Sequence, residues 1–171
     1  MEQTSVVRAA LVVALGALLD AVIGPYLTFG WVSPHFTLIA IVFAVSAMGE
    51  LHSVLLGFFG GILLDALGGG LFGVGALGGL LAATLSLRTR ATRRKSAERL
   101  VLAQVVAMTV AGYGLIQLVA TNLARLGAPP LGEYLMVGLI PDAVLNGVLA
   151  YLLGDWLLRM TRSRMRSWEA R

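Results

Sequence analysis

Residues 57–77 read GFFGGILLDALGGGLFGVGAL: eight glycines, twelve apolar residues and a single charge, Asp65. A helix made of such residues has no polar face to turn toward water. The whole chain extends this pattern. Of its 171 residues, 58% are hydrophobic and 13% charged, where a soluble domain carries roughly 25% charged. The cations are also confined, with 11 of the 13 Lys and Arg falling in residues 88–99 and 159–171. What remains is nearly charge-free, which is the composition of a chain dissolved in a bilayer.

A helix needs about 20 mainly apolar residues to cross the hydrocarbon, and the chain divides at polar or Gly/Pro punctuation into six such segments. They are residues 7–29, 31–48, 51–67, 71–87, 100–124 and 134–158. The expected fold is therefore all-α, a polytopic membrane protein of about six transmembrane helices forming one domain, 1–171. The first segment contains Asp20 and Pro25 and exceeds the apolar region of a signal peptide, so it is read as a retained helix. The second to fourth segments are short, and one of them can be re-entrant where other helices bury it.

Lys and Arg stay on the cytoplasmic side. Arg88, Arg90, Arg93, Arg94, Lys95 and Arg99 form one basic loop, and Arg159, Arg162, Arg164, Arg166 and Arg171 form a basic tail. Six spans put loop 88–99, tail 159–171 and the N-terminus together on the cytoplasmic side, where the cations meet anionic lipid at about 1 kcal/mol each. The net charge of +4 thus belongs to topology, and nucleic acid is not a partner. The absence of cysteine excludes disulfides and thiolate chemistry. Tyr26, Trp31, Tyr134, Trp156 and Trp168 fall at segment ends, as interfacial aromatics do.

Glycines four apart, Gly57 with Gly61, Gly69 with Gly73 and Gly75 with Gly79, draw flat stripes on the third and fourth segments. Small residues let backbones approach closely, which drives helix association in lipid. The ordinary use of such a stripe is internal packing. The sharper reading, adopted as the expectation, is a groove that receives a partner's transmembrane helix.

An Asp at mid-bilayer costs about 2.5–3.5 kcal/mol on insertion scales, so Asp20, Asp65 and Asp142 each call for a reason. Asn146 lies one helical turn after Asp142, which follows Pro141. Such groups commonly hydrogen-bond across helices and fix a polar interior; binding a cation or proton, or pairing for acid/base work, is the rarer use. His35 and His52 read as interfacial polar residues. There is no metal-ligand spacing, no P-loop and no glycine-flanked serine, so neither metal nor cofactor is expected and no residue is assigned as catalytic.

The size, the all-membrane layout and the middle section, with Pro34 opening an apolar span, Gly57, Gly60 and Gly61, then Leu63-Leu64-Asp65, the turn at 68–70 and Gly73, resemble the MreD family of the bacterial rod-shape complex. Asn146 resembles a polar position of that family. The resemblance implies a non-catalytic membrane subunit that binds the scaffold MreC. Through MreC it would join the filament protein MreB and the peptidoglycan glycosyltransferase and transpeptidase of cell-wall elongation. The fold it implies is similar to the substrate-binding subunits of energy-coupling-factor vitamin transporters, and that function is the first rival. An intramembrane aspartyl peptidase using Asp65 with Asp142 is the second.

Overall fold

The computed structural model describes residues 2–46, 48–92, 97–124, 126–127 and 129–161. Among the described residues the chain forms six helices and no β-strand: α1 (Glu2–Val22), α2 (Phe36–Val45), α3 (Glu50–Gly68), α4 (Val74–Arg88), α5 (Glu98–Leu123) and α6 (Leu131–Thr161). Three of them, α3, α5 and α6, are long and apolar enough to cross a membrane. The shorter apolar helices are α2 and α4.

Each segment expected from the sequence contains one helix, but the ends differ where proline intervenes. Helix α1 stops at Val22, not at residue 29, because the ring of Pro25 fixes its own φ and supplies no N–H. Residues Gly24–Leu27 form a short 3-10 turn instead. Phe29 and Val32 then exchange backbone hydrogen bonds of 2.9 and 3.1 Å around Gly30, whose φ of +65° suits glycine. Helix α2 begins only after Pro34, since the residue preceding a proline is pushed out of the helical region. In α6 the turn before Pro141, residues Tyr134–Leu139, is wound in π register. A proline cannot donate to the preceding turn, and a π turn is one way a helix absorbs that gap.

Helix α2 is the centre of the bundle. Thr37 through Val45 are all buried, and α1, α3, α4, α5 and α6 all pack against it. Leu38, Ile41, Val42, Phe43 and Val45 form the middle of the apolar core, with Val106 and Val110 of α5. Gly16 of α1 and Gly60 of α3 give α2 room: a Cβ on Gly16 would lie 2.9 Å from the Phe36 carbonyl oxygen, and one on Gly60 would lie 3.0 Å from Ile41 Cδ1.

Helices α3 and α4 form an antiparallel hairpin in which backbone touches backbone. A Cβ on Gly57 would stand 2.5 Å from the Gly79 carbonyl oxygen, and one on Gly61 would stand 2.6 Å from Ala76 Cα. One on Gly75 would meet the Gly61 carbonyl oxygen at 2.6 Å. The stripe formed by Gly57, Gly61, Gly75 and Gly79 is therefore closed inside the chain, and a partner helix has no access to it. Its physical cause is mutual: each glycine vacates the space that the facing backbone fills. Gly69 and Gly73 do something else, adopting φ of +65° and +100° to end α3 and start α4.

Gly61→Ala should lower the unfolding midpoint in detergent by the equivalent of about 1–3 kcal/mol, as overpacking does. Gly68→Ala, which meets no atom within 4 Å, should leave it unchanged. Equal midpoints for the two variants would contradict the closed glycine contact.

Candidate functional site

A helix leaves its first four N–H and last four C=O groups without internal partners, and α2 has both ends inside protein. His35 provides no side-chain cap. The amides are met from other helices. Asp20 of α1 accepts from the backbone N–H of Phe36 at 2.7 Å and of Thr37 at 2.8 Å, and from the Thr37 hydroxyl. Asn146 of α6 accepts from His35 N–H at 2.6 Å and donates to the Ser33 carbonyl at 2.9 Å. Asp142, one turn earlier, accepts from Ser33 N–H at 2.9 Å and meets His35 Nε2 at 3.1 Å. The His35 ring stands edge-on to Tyr113 of α5, with centroids 5.4 Å apart.

At the opposite end of α2 the Arg90 guanidinium donates to the carbonyls of Val45 and Met48. An acid therefore sits at the N-terminus of the central helix and a cation at its C-terminus, the signs that its macrodipole favours. Charged partners also strengthen the hydrogen bonds involved.

Asp65 repeats the device across the glycine turn. From the last turns of α3 it accepts N–H bonds from Gly73 at 2.9 Å, Gly75 at 2.6 Å and Ala76 at 3.1 Å, and so caps α4. Asp20, Asp142 and Asn146 converge on the start of α2; Asp65 serves a different helix end. Both carboxylate oxygens of Asp20 and of Asp65, and Oδ1 of Asp142, accept from donors of the chain, and Asp142 Oδ2 lies 3.1 Å from His35 Nε2.

The basic positions divide. Arg90 is drawn into the bundle as described. Arg99 reaches α6, where it bonds Asp155 at 2.7 Å and the Tyr151 hydroxyl at 2.8 Å and lies 4.1 Å over the Tyr151 ring. Arg88 and Arg159 are exposed at the ends of α4 and α6. The positions Arg93, Arg94, Lys95, Arg162, Arg164 and Arg166 lie outside the described residues. Of the cations expected at the lipid or cytoplasmic surface, Arg90 has its guanidinium on backbone carbonyls of the bundle, and Arg99 pairs with Asp155 at a partly exposed position.

His35, Ser33, Thr37 and Tyr113 are members of the polar cluster that the sequence reading did not assign. The one local signal was the position of His35 beside Pro34, at the start of an apolar run. A second feature lies on the outside of the bundle: a groove of about 710 Å³ between α4 and α5, walled by Phe58, Phe72, Leu77, Leu115, Val119 and Leu123. Gly73, Ala76 and Ala120 also line it.

A bundle of apolar helices that spends Asp20, Asp65, Asp142 and Asn146 on its own helix ends, and exposes many large apolar side chains, defines a membrane-type helical protein. Compared with known families, the chain matches the rod shape-determining protein MreD over residues 2–164, and it belongs to the MreD family. No curated protein and no solved structure matches it.

Arg90→Ala should reduce stability by about 1–3 kcal/mol, because two buried carbonyls lose a charged donor. Arg88→Ala should stay within about 0.5 kcal/mol. If the two variants melt alike in detergent, Arg90 does not cap α2. Asp20→Ala should fall in the same range as Arg90→Ala, with Asp20→Asn recovering part of the loss through its remaining acceptor oxygen.

Proposed function

We propose that this chain is a non-catalytic subunit of the bacterial cell-wall elongation machinery, spanning the cytoplasmic membrane six times and binding the scaffold MreC. The observation that carries this reading is the family match across residues 2–164. Both termini and the basic loop 88–99 face the cytoplasm in this reading, in line with the cation distribution. MreC in turn links the subunit to MreB and to the peptidoglycan glycosyltransferase and transpeptidase, and loop and tail cations contact anionic lipid. The carboxylates Asp20, Asp65 and Asp142 act as helix caps and not as acid/base groups.

Because the glycine stripe is closed within the α3–α4 hairpin, the partner's transmembrane helix is assigned to the groove between α4 and α5. Large side chains wall it, and Gly73, Ala76 and Ala120 give it small residues over which a helix backbone approaches closely. The contact is van der Waals packing, since among the described residues no charged side chain lines the groove.

Filling it with Leu77→Trp or Ala120→Trp should cut co-purification of MreC by about tenfold, which is about 1.4 kcal/mol. Val148→Trp, on an exposed face of α6, should leave it unchanged. Recovery of MreC at the wild-type level by both groove variants would remove the groove from the interface.

A further inference from the structure

Helices α1, α3, α4, α5 and α6 form a ring around α2, but α2 fills only part of its height. Its ten residues rise about 15 Å, half of a hydrocarbon layer of about 30 Å. The filled half is the cytoplasmic one. Ser86, near the inner end of α4, donates to the Val42 carbonyl, and Arg90 lies beyond it on the carbonyls of Val45 and Met48. The other end of α2 is level with Asp20 on α1 and with Asp142 on α6. Helix α1 stops at Val22, just past Asp20, whereas α6 begins at Leu131, about 16 Å further out than Asp142. In the outer half, the centre of the ring therefore holds no helix.

Exposure marks what fills that space. Along the inward face of α5, Val106 and Val110 are fully buried. Tyr113, next on that face, is half-buried; its ring packs on Gly78 of α4 and meets the His35 ring, and Gln117 one turn further out is exposed. The side chains of His35 and Asp142 stay 17% and 10% exposed although they stand at the centre of the ring. Among the described residues the Tyr113 hydroxyl has no hydrogen-bond partner, yet it is not sealed from solvent. Residues 25–31, which lead from α1 back toward α2, are all exposed. Irregular backbone at membrane depth needs protein around it or water beside it, and these residues lack the first.

The charge at this level has one sign. Asp20, Asp65 and Asp142 all lie within electrostatic reach of Tyr113, and no Lys or Arg occurs in residues 9–87, 100–124 or 126–158. Walls of one sign in a low-dielectric surround concentrate counter-ions.

We infer that a water-filled vestibule, open to the outer face, descends to His35 near mid-bilayer and admits small hydrophilic cations ahead of anions. This rests on the membrane-spanning reading above, but not on MreC or on the groove, which opens on a different side of α5.

The test uses the full chain in spheroplasts. Because the chain has no cysteine, single introduced cysteines report without background. Ser33→Cys places a thiol on the vestibule floor beside Asp142, and Val144→Cys places one at the same depth on an exposed outward face of α6. Each is treated from outside with a membrane-impermeant methanethiosulfonate, either trimethylammonium or sulfonate, which attacks the thiolate and so needs water at the site. Modification of Ser33→Cys should be about tenfold faster than that of Val144→Cys. Relative to Leu131→Cys in the outer loop, its preference for the cationic reagent should be about tenfold greater and should shrink as salt is raised. Gln117→Cys, higher on the wall, gives the same comparison if Ser33→Cys fails to accumulate.

Modification of Leu131→Cys alone overturns the vestibule and leaves the membrane-spanning reading intact. Equal, rapid modification of Ser33→Cys and Val144→Cys removes the hydrocarbon around α6, and with it both that reading and this inference. Reaction of Ser33→Cys only in inverted vesicles overturns the outward opening. The same charge preference at Ser33→Cys and Leu131→Cys overturns the selection of cations.

Discussion

The hydrogen bonds from Phe36 and Thr37 to the carboxylate of Asp20 are the contacts on which the bundle's architecture turns. Ten residues of helix rise about 15 Å, half of what a bilayer requires, so both ends of α2 stop inside the protein. An unpaired buried backbone group costs about 1–3 kcal/mol. A helix this short and this buried persists only if other elements bring polar side chains to its ends. Asp20, Asn146 and Asp142 do so at one end and Arg90 at the other. Four separate parts of the chain, α1, α6, the turn that follows α4 and α2 itself, are thereby locked into one register.

The α3–α4 hairpin solves the same problem by different means. There the turn is tight enough that a carboxylate from the end of α3 reaches the first amides of α4, so Asp65 caps a neighbour instead of its own helix. Positive φ at Gly69 and Gly73 makes that geometry possible, and the glycines further down allow the two backbones to remain in contact. In a bilayer such packing replaces the hydrophobic effect as the adhesive force. Polar caps and glycine contacts thus both serve internal cohesion, leaving the outer surface for lipid and for partners.

Much of this was legible in the sequence. Six apolar segments and the confinement of Lys and Arg were enough to expect an all-helical, membrane-type chain, and the string 57–77 carried the family. The glycine stripe was legible as a close contact, but its partner was not: Gly57 and Gly61 are matched by Gly79 and Gly75, a pairing set by the turn between them. Arg90 was invisible among the six cations of residues 88–99, because nothing in a charge count separates a residue that folds inward from those around it. The pairing of Asp20 with α2 depends on how α1 packs, and no local pattern encodes it. Pro25 and Pro34 did mark the true helix ends, yet the apolar runs continue past them and outvoted the punctuation.

The most direct test of the central claim is amide hydrogen exchange of the intact protein in lipid nanodiscs. Helix α2 is the shortest of the six, and on length alone it should fray first. With its ends capped, the amides of Phe36 and Thr37 should exchange as slowly as those at mid-α5, through opening of the whole bundle. Rapid exchange at these two positions, with α5 still protected, would contradict the account.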